Sequence, residues 1–165
     1  MTAKVDDLFR EPGTTGLEGV TVRELEARDL DSVVRIDARI TGRSRREYFE
    51  RKLAEATKEA SIRISLAAEL GDGTFAGFMI GRLYYGEFGL PEPAAIVDSI
   101  GVDPGLRGRH VGRALLAQLE TNLRGMGIEK IRTEVDWNHL ELVGFLGSHG
   151  FAPAPVLCLE KKLAT

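Results

Sequence analysis

The spacing of apolar residues changes several times along the chain, and each change marks an element. Val20, Val22 and Leu25 come in near-alternation, the pattern of a short strand over Gly19 to Leu25. From Asp29 the period lengthens: Leu30, Val33, Val34 and Ile36 recur at helical spacing until Thr41-Gly42-Arg43-Ser44 breaks the run. Ser44, with Glu47 three residues on, matches a capping box and predicts a second helix to near Thr57 with Tyr48, Phe49 and Leu53 inward. Ser61 to Leu70 alternates again, Ile62, Ile64 and Leu66 against Arg63 and Ser65. Gly71-Asp72-Gly73 reads as a hairpin turn and Thr74 to Tyr85 as the returning strand. After a Gly/Pro-rich loop, Gly86 to Pro93, comes an apolar strand, Ala94 to Val102. Val111, Leu115, Leu116 and Leu119 predict a helix from Val111 to about Met126, ended by Gly125-Met126-Gly127. Lys130 to Trp137 sets Ile131, Thr133, Val135 and Trp137 against Arg132, Glu134 and Asp136. His139 to His149 reads as a short helix closed by Gly150, and Val156 to Leu163 as a final edge strand.

Hairpin-linked strands followed by alternating helices and strands imply a mixed α/β sheet. At 165 residues and 43% hydrophobic content the chain suits one domain, residues 19 to 165, behind a weakly ordered lead-in of residues 1 to 18. The formal charge of -3 argues against non-specific nucleic-acid binding as the main task. One cysteine, Cys158, excludes a disulfide framework and a cysteine zinc site and fits a reducing, cytoplasmic setting. Lys4, Asp6, Asp7 and Arg10 interrupt the start, unlike a signal peptide, and no apolar run approaches membrane-spanning length.

Against this acidic background one basic stretch stands out, Val102-Asp103-Pro104-Gly105-Leu106-Arg107-Gly108-Arg109-His110-Val111-Gly112-Arg113-Ala114. A strand runs through a Pro/Gly turn into a glycine-bearing loop and opens a helix. The first N–H groups of a helix have no intrahelical partner and can hold an anion. Arg107, Arg109 and Arg113 add positive charge at that point, which suits a small anionic ligand.

This order of elements, with the loop where it stands, resembles the GNAT superfamily of N-acetyltransferases over roughly Val20 to Leu163. The family's loop pattern (Arg or Gln, two variable residues, Gly, one variable residue, Gly or Ala) maps onto Arg107 to Gly112, with His110 where the first glycine is usual. A frame shifted to Arg109 through Ala114 meets the pattern literally. His110 either tolerates the loop's dihedrals or reshapes the cradle. A second likeness runs from Trp137-Asn138-His139 to Phe145-Leu146-Gly147-Ser148-His149-Gly150-Phe151, with Leu146 where the family's general-acid tyrosine usually stands.

The resemblance implies a mixed, mainly antiparallel sheet of six to seven strands, splayed between the fourth and fifth, with about four helices. It implies acetyl-CoA as co-substrate and an amine acceptor, with no metal, and it leaves a homodimer open; charge and hydropathy add the expectation of no nucleic acid and no membrane as partners. Ile100, Gly101 and Val102 would align the thioester beside a splayed Val135 to Trp137. Arg107, Gly108, Arg109, His110, Val111, Gly112, Arg113 and Ala114 would hold the diphosphate. Asn138 and Phe145 would border the pantetheine arm, Asn138 serving equally well as a helix N-cap.

Amine acetylation needs a proton acceptor near the thioester. Asp98 interrupts an otherwise apolar strand, where a carboxylate is costly unless wet, paired or working. It is the candidate base, with a backbone-bonded structural role as the alternative; Glu87 and Glu92 are weaker candidates. With Leu146 in the tyrosine's place, Tyr84 or Tyr85 is left as acid, or the thiolate leaves unassisted or takes a proton from water. Cys158 is expected to be small and buried, and His139 and His149 to be surface or cap residues. In the family the joint between the first two helices often selects the acceptor. Here it carries Asp37, Arg43, Arg45 and Tyr48, which could hold a carboxylate-bearing substrate or, through Asp37, an amine; surface ion pairing by Arg39 and Glu47 is the plainer alternative. Two other readings are a catalytically weak acyl-CoA-binding regulatory domain and a dinucleotide oxidoreductase. The second lacks the Gly-x-Gly-x-x-Gly turn after its first strand.

Overall fold

In a computed structural model, residues 19–58, 64–86, 89 and 91–164 are described. The chain divides into two compact units, Met1–Glu134 and Val135–Thr165. The first holds a five-stranded sheet in the order β1-β2-β3-β4-β5, formed by β1 (Val20–Glu24), β2 (Leu66–Leu70), β3 (Phe75–Tyr84), β4 (Ala94–Val102) and β5 (Ile131–Thr133). The first four strands pair antiparallel and β5 runs parallel to β4. The helices are α1 (Leu30–Thr41), α2 (Arg46–Lys58) and α3 (Val111–Gly125) in the first unit and α4 (Leu140–Ser148) in the second.

Neighbouring residues of β3 show which helices cover which face. A Cβ placed on Gly77 would lie 2.9 Å from Val111 of α3, whereas Phe78 lies against Gly101 and Ile36 of α1 borders the same spot. Successive strand residues point to opposite faces, so α1 and α3 lie on opposite sides of the sheet. On the α1 and α2 side, Val33, Ile36, Phe49, Leu53, Phe78 and Ile80 form the core. The rings of Phe49 and Phe78 meet edge-on at 5.6 Å, a favourable aromatic geometry. On the other side α3 buries Leu115, Leu116, Leu119 and Leu123, the stripe its period foretold. Gly127, at φ 70°, ends α3: its N–H reaches the Arg124 carbonyl and that of Ile128 reaches Leu123. This is a Schellman closure, with Ile128 and Leu123 both buried.

Among the described residues three carboxylates are buried, Asp29, Asp37 and Asp103, and each is held by an arginine from another segment. Arg23 of β1 binds Asp29 through both terminal nitrogens at 2.8 Å and also bonds Glu69 of β2. Arg45 binds Asp37 through Nε at 2.9 Å. Arg39 of α1 donates to both oxygens of Asp103, at 2.6 and 2.7 Å. The pairs pin the entry of α1, the α1–α2 joint and the end of β4.

The sheet differs from the sequence reading in number, with five strands where six to seven were expected. Val156 to Leu163 forms no strand, and Val156, Leu157, Leu159 and Leu163 lie exposed, as does Cys158, which was expected to be buried. A run of apolar residues gives a segment strand character but does not supply a ladder partner. Lys130 to Trp137 contracts to Ile131–Thr133, and Trp137 is 84% exposed in a turn. Of the expected strand Ser61 to Leu70, residues 61–63 lie outside the described residues. Ser65 precedes the strand, its Oγ accepting the Gly81 N–H at 3.3 Å. The second helix begins at Arg46, with the Arg45 carbonyl accepting the Phe49 N–H. That puts Arg45 at the N-cap, so the Ser44–Glu47 spacing is one residue out of register for a capping box. The lead-in, residues 1 to 18, also lies outside the described residues.

Candidate active site

β4 is paired on both edges only along its first part. Against β5 the ladder runs Ala95 to Ile131, Ile96 to Arg132 and Val97 to Thr133, then ends. The Thr133 hydroxyl closes it by donating to the Val97 carbonyl at 2.9 Å. β4 continues to Val102 paired with β3 alone. At the same point its register with β3 slips: Ile80 faces Ser99 and Gly81 faces Val97. Asp98 is therefore the extra residue of a β-bulge, a device that bends a strand and re-aims its side chains. Ile100, Gly101 and Val102 lie on the stretch beyond the fork. A side chain at Gly101 would come within 2.6 Å of the Phe78 ring, so glycine is required there for packing.

The bulge turns two successive side chains toward α2. Asp98 Oδ2 is 3.3 Å from Lys52 Nζ and 3.4 Å from Arg82 Nε of β3. The Ser99 hydroxyl is 3.3 Å from that of Tyr48. Tyr48 and Lys52 are four residues apart on α2 and hence share one face, with the Lys52 ammonium 6.0 Å from the Tyr48 ring centre. Asp98 and Tyr48 thus meet in one cluster, together with Lys52, Arg82 and Ser99, which the sequence reading did not single out. The i, i+4 spacing of Tyr48 and Lys52 was a usable signal; the bulge that brings Ser99 round beside Asp98 has none.

Beyond Val102, Asp103 accepts the Gly105 N–H at 2.8 Å and caps a 3-10 turn over Pro104–Leu106. Held also by Arg39, it fixes the base of the basic loop. Arg107, Gly108, Arg109, His110 and Arg113 are exposed, whereas Val111 and Ala114 are buried and Gly112 is half-buried. Gly108 has φ 79° and His110 has φ 59° and ψ 20°, and His110 is the one non-glycine residue of positive φ among those described. The glycine usual at that place in the resemblance has a physical reason: a side chain in the left-handed region costs about 1–2 kcal/mol. His110 therefore adopts the glycine-like dihedrals. The first α3 bond is that of the Ala114 N–H to the His110 carbonyl, so the N–H groups of Val111, Gly112 and Arg113 precede the helical ladder. A Cβ on Gly108 would meet nothing within 4 Å, leaving this side of the loop open. Unladdered N–H groups, three arginines and an open glycine fit a diphosphate well.

The other sequence candidates lie elsewhere. Tyr84 pairs with Ala94 at the far end of β3, four residues from Asp98 and so about 13 Å along the strand; Tyr85 is exposed beyond it. Asp37 and Arg45 bind each other, and the Arg45 guanidinium lies 5.2 Å from the Tyr48 ring centre. That pairing raises the Arg45 pKa through the Asp37 hydrogen bond. Arg43 is exposed in the joint, where its carbonyl accepts the Thr41 hydroxyl. Glu92 pairs with Lys130 at 3.6 Å, and Glu87 lies outside the described residues.

In the second unit, the Asn138 N–H bonds Asp136, and His139, not Asn138, occupies the N-cap of α4. The Phe145 and His149 rings lie tilted at 44° with their centres 4.4 Å apart. Leu146 is buried, and its carbonyl accepts the Phe151 N–H. Among the described residues no helix is long and apolar enough to cross a membrane.

The forked mixed sheet beside a glycine-bearing helix N-terminus is consistent with an acetyltransferase. The model of the Acetyltransferase (GNAT) family matches residues 29–151, and the chain belongs to that family. No curated protein sequence matches it. Among solved structures, the fold is similar to aminoglycoside N-acetyltransferase AAC(6')-Iy in complex with CoA (TM-score 0.71, 16% identity, 88% of this chain and 95% of that one). It is also similar to a ribosomal-protein-alanine N-acetyltransferase from Brucella melitensis (0.65, 22%, 88% and 99%). A third is the glucosamine-6-phosphate N-acetyltransferase of Arabidopsis thaliana (0.65, 18%, 87% and 99%). At these identities the likeness is one of fold.

Proposed function

We propose that the protein is an N-acetyltransferase that moves an acetyl group from acetyl-CoA to a primary amine by direct transfer in a ternary complex. The observation that carries this reading is the fork. The β4–β5 ladder ends at Val97 and Thr133, and the next residue, Asp98, sits on a bulge. Acetyl-CoA, when bound, supplies the activated acetyl thioester. The N–H groups of Val111, Gly112 and Arg113, with Arg107 and Arg109, would hold its diphosphate. His110 sets the turn between them, and Ala114 buries the helix behind them.

Past the fork, the main chain of Ile100, Gly101 and Val102 has one edge outside the β5 ladder. Its N–H groups would bond the pantetheine arm and meet the charge that grows on the thioester oxygen. Asp98 would take the proton of the attacking amine, directly or through water. Asn138 and Phe145 are assigned to the pantetheine arm by family resemblance alone. Leu146 cannot donate a proton, so the departing thiolate takes its proton from water. The lone cysteine suits a reducing cytoplasm.

A panel of amines and peptides with acetyl-CoA, read by thiol release, tests this assignment. The expected result is release that depends on an acceptor, with intersecting initial-rate lines when both substrates are varied. Binding of acetyl-CoA without release to any acceptor would favour an acyl-CoA-binding regulatory domain instead.

A further inference from the structure

Among the described residues, the acceptor side of the fork carries more positive than negative charge close to the base. Asp98, 17% exposed at its side chain, faces two cations, Lys52 and Arg82, whose side chains are 25% and 51% exposed. Each cation approaches Oδ2. Glu55 lies 3.9 Å from Lys52, but its side chain is 71% exposed and its field is weakened by water and salt. The nearby Arg45 is matched by Asp37. Among the described residues, an amine at Asp98 therefore sits beside two like charges, balanced by one half-buried carboxylate.

A purely cationic acceptor is repelled there, since like charges a few ångströms apart in a partly dry site oppose each other strongly. An acceptor that brings its own anion relieves that repulsion. Arg82 approaches Asp98 through Nε, and its guanidinium carries five donors in a fork that matches carboxylate and phosphate geometry. Lys52, held between Asp98 and the Tyr48 ring, adds a point charge on the same side. Two cations beside an amine also favour its neutral, nucleophilic form.

Building on the acetyl-transfer reading, we propose that the acceptor is a small amine carrying a carboxylate or phosphate a few bonds from its nitrogen, with Arg82 and Lys52 as the residues that select it. The test uses matched pairs: glycine against glycinamide, and O-phosphoethanolamine against ethanolamine. Each is measured twice, by kcat/KM for thiol release and by calorimetric binding to the full chain saturated with CoA. The anionic member of at least one pair is expected to be preferred about tenfold or more, the factor of one lost charge-assisted contact. The pair that shows it distinguishes carboxylate from phosphate. In Arg82→Gln that preference falls toward unity, carried by KM and binding more than by kcat. If the anionic member binds more tightly, and Arg82→Gln erases the difference, while no acceptor releases thiol, the selection stands and acetyl transfer falls. Equal or weaker binding of both anionic members, or an undiminished preference in Arg82→Gln, overturns the proposal.

Discussion

Replacing Asp98 by Asn lowers kcat by about 100-fold to 10,000-fold, the range for losing a positioned general base, while acetyl-CoA still binds. Asparagine has nearly the same shape and keeps an oxygen for Lys52 and Arg82, which lie 3.3 and 3.4 Å from the present carboxylate. The bulge belongs to the backbone register between Ile80–Gly81 and Val97–Ser99, so the fork survives the change. What is lost is a group that can accept a proton at the place where β5 departs. Steady-state turnover and calorimetric acetyl-CoA affinity, measured on the same preparation, separate the two effects. Unchanged turnover across pH contradicts the role of base. A parallel loss of acetyl-CoA affinity would make Asp98 a structural residue of the cradle.

The second large effect concerns stability. Arg23→Met destabilises the fold by about 3 kcal/mol at neutral pH, the lower end of the cost of leaving a buried charge without its partner. Asp29 is 5% exposed. Burial by itself pushes its carboxyl up, and the bonds from Arg23 and from the Glu26 N–H outweigh burial and hold it below the usual carboxylate range. In the native protein the contribution of Asp29 is therefore complete above the unfolded carboxylate value, near 3.9, and is lost as pH falls through the lower folded value. Without Arg23 burial dominates and the same carboxyl moves upward, so protonation relieves the variant first. The stability gap between the two proteins is widest near neutrality and narrows on acidification toward pH 4. Denaturant titrations at several pH values measure it. A gap independent of pH, or one below about 1 kcal/mol, would mean that Arg23 is dispensable to Asp29.

Much of this was legible from local pattern. α3 and its closing glycine follow from a 3.6-residue apolar period and a left-handed stop, which need no distant partner. The basic loop could be recognised because strand, glycine and helix start are contiguous in the chain. The rest depends on long-range pairing. Asp37 and Arg45 looked like candidates for substrate binding because a charged, arginine-rich joint reads as a surface; folding instead buries Asp37 and gives it Arg45. Arg39 likewise reaches Asp103, a residue remote in sequence. The alternation of Lys130 to Trp137 promised a long strand, yet β5 has β4 as its neighbour and pairing stops where β4 bulges. Val156 to Leu163 was expected as an edge strand on its apolar start alone and has no ladder. Tyr48 was picked out for its place in the joint, and Lys52 follows one turn on along the same helix, whereas Ser99 and Arg82 come from β4 and β3, which only the register of those strands aligns.

The central claim is that the loop from Arg107 to Gly112 and the start of α3 form a diphosphate cradle serving the fork at Val97. Calorimetric titration of the full chain with acetyl-CoA and with S-acetylpantetheine, which lacks the diphosphate, tests it most directly. The account predicts that acetyl-CoA binds at least about tenfold more tightly, since each charge-assisted hydrogen bond lost costs about 1.5–3 kcal/mol. Equal affinity for the two compounds, or binding of neither, would contradict it.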